Sequence, residues 1–96
     1  MINDKRKKRR YRITIPETIL DLDIKKILSS IEKMYSIKLP RRVIALDYGK
    51  RGDLYIRFKY VDKPIGEPTE DGFVIFFYDD GKDIVALEIL DLNKII

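Results

Sequence analysis

Two different spacings of apolar residues divide the chain. From Asp23 the apolar positions Ile24, Ile27, Leu28, Ile31, Met34 and Tyr35 recur at steps of three and four, with Lys25, Lys26, Glu32 and Lys33 between them. That spacing gathers the apolar side chains on one stripe and predicts an amphipathic helix. Asp21 or Asp23 supplies its N-cap oxygen, and Pro40 prevents continuation at the far end. Elsewhere the step is two. Residues 11–15 (YRITI) alternate and stop before Pro16, which predicts a short strand ending where a backbone donor is lost. Residues 43–46 form a short apolar run leading into the turn DYGKRGD. Residues 54–61 (LYIRFKYV) then put Leu54, Ile56, Phe58 and Tyr60 on one strand face and Tyr55, Arg57, Lys59 and Val61 on the other.

Between residues 62 and 72 lie Pro64, Gly66, Pro68 and Gly72 among acids, a composition that excludes helix and central strand and predicts a loop of about ten residues. Residues 73–78 (FVIFFY) and 84–90 (IVALEIL) are strand-forming runs joined by DDGKD, a hairpin turn in which glycine is available for a left-handed position. Residues 91–96 add a helical turn. The predicted order is β-α-β-β-β-β, an α+β fold with an antiparallel sheet of four to five strands and one helix packed on one face. This leaves an imbalance, because the last two strands are apolar on both faces and one helix covers only one of them. The second face is therefore expected to meet a partner, either a second copy or a small protein, with Tyr55, Val61, Val74, Phe76 and Tyr78 as contacts. Glu88 falls in the run beside Ile84 and Ala86, where an ion pair with Arg57 or a lysine is the expected arrangement.

Composition narrows the function. With 96 residues the chain forms one core, read as a basic arm over residues 1–10 and a single α+β domain over residues 11–96. It has no cysteine and no histidine, so thiolate chemistry, thiolate metal sites and the commonest general base are all missing. Ser29, Ser30 and Ser36 have no histidine to activate them, and Asp79, Asp80 and Asp83 lack the spacing of a calcium loop and read as turn formers. No catalytic residue, metal site, cofactor or small-molecule substrate is expected. Glutamine and tryptophan are also absent while charged residues reach 38%, a usage similar to that of proteins from hot environments. No apolar run spans a bilayer and no signal-peptide core is present, which predicts a cytoplasmic protein without a membrane partner.

Charge is distributed unevenly. Residues 1–12 carry Lys5, Arg6, Lys7, Lys8, Arg9, Arg10 and Arg12 against the single acid Asp4, a net +6 out of an overall +4, so the rest of the chain is net −2. Such a run cannot enter a core and reads as a flexible arm. It serves either as a solubilising tail or as a phosphate-neutralising arm for DNA or RNA, in which case Arg57 and Lys59 extend the contact beside Tyr55.

Two resemblances bear on these readings. Residues 51–58 (RGDLYIRF) resemble the RNP1 strand of RNA-recognition domains, with Asp53 and Leu54 standing where an aromatic and a small residue are usual. Asp47-Tyr48, residues 53–58, Asp71 to Ile75, Tyr78 to Lys82 and residues 84–90 together resemble domain-of-unknown-function family 2283. That resemblance covers residues 43–90. It implies a small, antitoxin-like protein that binds another protein or DNA, and it brings no catalytic residue.

Overall fold

The computed structural model describes residues 23–95. The strand expected over residues 11–15, the basic arm and the cap at Asp21 lie outside that range. Helix α1 spans Ile24–Tyr35 and is capped by Asp23, whose carboxylate accepts the Lys26 amide at 3.1 Å. Its stripe buries Ile27, Leu28 and Ile31. The helix ends at Ser36, which takes the left-handed conformation (φ 55°), so that the Ile37 amide donates back to the Glu32 carbonyl at 3.2 Å. The Glu32 carboxylate accepts the Leu39 amide at 2.8 Å, and Leu39 is thereby set into the core.

Five strands follow: β1 (Ala45–Tyr48), β2 (Leu54–Arg57), β3 (Ile65–Pro68), β4 (Val74–Tyr78) and β5 (Ile84–Ile89). They form one sheet in the order β1-β2-β5-β4-β3, with every neighbouring pair antiparallel. The chain leaves β2 for the far edge and returns through two hairpins to place β5 beside β2, a Greek-key arrangement. The α+β class, with one α-helix on one face of the sheet among the described residues, agrees with the expectation from sequence.

The fifth strand comes from an unexpected place. Residues 65–68, within the expected loop, form edge strand β3 and pair with β4 from Ile65↔Tyr78 to Pro68↔Ile75. Proline and glycine argue against a central strand, but an edge strand has one side without ladder partners and tolerates both. A second departure lies after Arg57. The amides of Phe58 and Lys59 both donate to the Val85 carbonyl, at 2.8 and 3.1 Å, so two residues oppose one and the alternation slips. Phe58 remains in the core, while Tyr60 comes to stand beside Arg57 rather than beneath Leu54. In the β4–β5 hairpin the left-handed residue is Lys82 (φ 69°) and not Gly81, and Asp79 closes the turn by accepting the Asp83 amide.

The core lies between α1 and one sheet face, where Leu54, Ile56, Val74, Phe76, Leu87 and Ile89 meet Ile27, Leu28 and Ile31. The chain end closes this side. A 3-10 turn at Leu92–Lys94 inserts the fully buried Leu92, whose amide donates to the Gly52 carbonyl at 2.9 Å. Gly52 holds φ 85°, a left-handed backbone that suits glycine.

Candidate interaction face

The strand registers fix what the opposite sheet face presents. One row crosses all five strands as Asp47, Tyr55, Glu88, Ile75 and Pro68, and the next runs Ala45, Arg57, Ala86, Phe77 and Gly66. None of these side chains belongs to the core cluster under α1. Tyr55, Arg57, Ile75, Phe77 and Glu88 are half-buried, and Ala86 between them is 1% exposed.

Their geometry forms a continuous strip. The rings of Tyr55 and Phe77 meet edge to face, with centroids 5.8 Å apart and planes at 70°. The Arg57 guanidinium lies 5.5 Å from the Tyr55 ring and 5.6 Å from the Tyr60 ring, placing one cation between two aromatic faces. Small residues make room for it. Ala86 lies in the row between Arg57 and Phe77, and the Phe77 ring rests on Gly66, where an added Cβ would come 2.9 Å from its edge. Tyr60 is the most open member, at 67% exposure.

Of the residues singled out from sequence, Tyr55 and Arg57 lie on this face. Val74 and Phe76 do not: both point under α1 and are buried, because β4 is registered with Ile75 and Phe77 outward. Tyr78 also packs against the core cluster, just past the irregularity between Phe77 and Tyr78. Val61 is half-buried in the segment between β2 and β3 and belongs to no strand. Lys59 is exposed and lies 3.9 Å from the Asp79 carboxylate. Among the described residues Glu88 has no ion-pair partner, so the expected pair with Arg57 does not form within the chain; Arg57 is drawn onto the tyrosines instead. Lys5 to Arg10 and Arg12 lie outside the described residues.

Sequence reading missed Ile75, Phe77 and Tyr60. FVIFFY is apolar in either register, so alternation cannot choose its outward residues, and Tyr60 changes sides only through the slip after Arg57.

A second cluster is structural. Asp71, in the turn between β3 and β4, accepts from the Thr69 hydroxyl at 2.6 Å, the Phe73 amide at 2.9 Å and the Tyr35 hydroxyl at 2.8 Å. The Thr69 and Phe73 hydrogen bonds hold its carboxyl below the usual aspartate range, while burial pushes the Tyr35 phenol up. The effect is to latch the end of α1 to the hairpin. Among the described residues no group of acids is arranged to hold a metal ion, and no helix is long and apolar enough to cross a membrane. No family model matches the chain, and neither a curated protein nor a solved structure matches it.

Proposed function

We propose that this protein is a non-enzymatic interaction module that binds a protein through the second face of its sheet. The observation that carries the reading is the strip of Tyr60, Arg57, Tyr55 and Phe77, with Ile75 beside it, outside the core cluster under α1. Tyrosine, phenylalanine and arginine are the side chains enriched at protein interfaces, where rigid rings bury large areas at low entropic cost. The resemblance of residues 43–90 to family 2283 gives this reading its sharpest form, an antitoxin-like protein that occupies another protein. The absence of cysteine supports a cytoplasmic setting. The test is association with itself or with the product of a neighbouring gene, followed by light scattering and calorimetry. Tyr55→Ala weakens that association by about tenfold or more. No association with either, or association indifferent to Tyr55, overturns the proposal.

One observation favours a second reading. The Arg57 guanidinium between two tyrosine rings resembles the stacking and charge platforms that hold single-stranded nucleic acid, and the cationic run of Lys5 to Arg12 suits phosphate. In that case oligonucleotide binding falls steeply with salt and is lost on deletion of residues 1–10. Binding unaffected by the deletion refutes it.

A further inference from the structure

We infer that the occupant of this face is a second copy of the chain, docked about a two-fold axis so that Arg57 of each copy meets Glu88 of the other. The inference rests on the proposed function of the face and names its partner.

Two unmatched charges carry it. Glu88 sits near the middle of its row with Tyr55 on one side and Ile75 on the other, and it has no cationic partner among the described residues. Arg57 lies one row away on the adjacent strand, opposite Ala86, with its guanidinium against rings and no carboxylate within ion-pair distance among the described residues. When an apolar surface covers this face, each charge loses water and requires a counter-charge from the covering molecule. Arg57 and Glu88 stand unmatched among the described residues at neighbouring positions of this face, with the exposed Asp47 at its β1 edge, and a pair of opposite charges at neighbouring positions is complementary to the same pair on a second copy. In a two-fold interface residue i contacts j and j contacts i, so a single geometry satisfies both charges twice. The aromatic strip, which flanks both charges, supplies the apolar area between the copies. A nucleic acid would satisfy Arg57 but would bring phosphate against Glu88 and against Asp47 in the same row.

The experiment uses the full chain in sedimentation equilibrium at micromolar concentration. Wild type is expected to dimerise. Arg57→Glu puts an acid at both paired positions and Glu88→Arg puts a base at both, so each variant alone weakens self-association by about thirtyfold or more. Mixing the two variants restores a dimer, because each then offers the charges the other needs. The double exchange Arg57→Glu with Glu88→Arg also restores self-association. Circular dichroism establishes that each single variant is folded, and if either is not, Glu88→Gln and Arg57→Gln take their place, each weakening the dimer. A dimer indifferent to these changes, or variants that do not rescue each other when mixed, overturns the inference. A wild-type monomer also overturns it, and hydroxyl-radical labelling of Tyr55 and Phe77 in that monomer then decides the fate of the module reading. Rings open to the label leave a different protein as the occupant. Rings shielded by the chain itself remove the module reading as well.

Discussion

Glu32 shows how one side chain organises a chain reversal. Its carboxylate accepts the Leu39 amide and lies 3.3 Å from the Arg41 guanidinium, so the segment leaving α1 is held against the helix it has just left. The Leu39 hydrogen bond, with Arg41 adding to it, holds the Glu32 carboxyl below the usual glutamate range, and Asp71 is lowered by Thr69 and Phe73. A carboxyl that titrates lower in the folded chain than in the unfolded one stabilises the fold above its unfolded value, and that contribution is lost as pH falls through its folded value. Stability is therefore expected to decline on acidification below about pH 4, the ordinary carboxyl range. Urea unfolding across that range checks it, and Glu32→Gln or Asp71→Asn should make the acid decline shallower while lowering stability at neutral pH. An unchanged slope would remove both carboxylates from the account.

At the level of elements, the edge strand β3 depends on one small residue. Phe77 lies across Gly66, with Ile75 Cγ2 also 3.3 Å from the position a Cβ would take. Gly66→Val brings branched carbons into that ring. Either Phe77 leaves the strip or β3 moves away from β4, at a cost of about 1–3 kcal/mol. Amide exchange should show faster exchange at Glu67 and Tyr78 with the β2–β5 pairing unaffected; uniform protection in the variant would mean that the ring does not need the glycine. The same hairpin explains why proline could mislead. Pro64 precedes the strand and Pro68 is its last residue, at the sheet edge where a missing donor costs no ladder bond, and they discourage further strand addition on that side.

For the molecule as a whole, the two sheet faces have different work. Leu54 is fully buried beneath α1, and Leu54→Ala should cost about 2–5 kcal/mol in chemical denaturation. Phe77→Ser removes a half-buried ring and its edge-to-face contact with Tyr55, and should cost no more than about 2 kcal/mol of fold stability. The same change should abolish association through the face. If Phe77→Ser unfolds the chain as readily as Leu54→Ala, the second face is core and not surface.

Helix α1 was legible from sequence because its stripe, its cap and the following proline all indicate the same element, and the runs that became β2, β4 and β5 were legible from their β-rich composition. The excess of apolar strand over helical cover was also apparent. The pattern could not say which residues of FVIFFY face outward, since shifting that run by one position leaves both faces apolar and only pairing with β5 selects Ile75 and Phe77. Nor could it reveal β3, whose residues are poor strand formers held in place by a neighbour. The slip after Arg57 likewise depends on Val85, far along the chain, accepting two amides at once. Local spacing therefore determined the kinds of element present, and long-range hydrogen bonding decided which side chains reached the face where Arg57 and Glu88 stand unmatched.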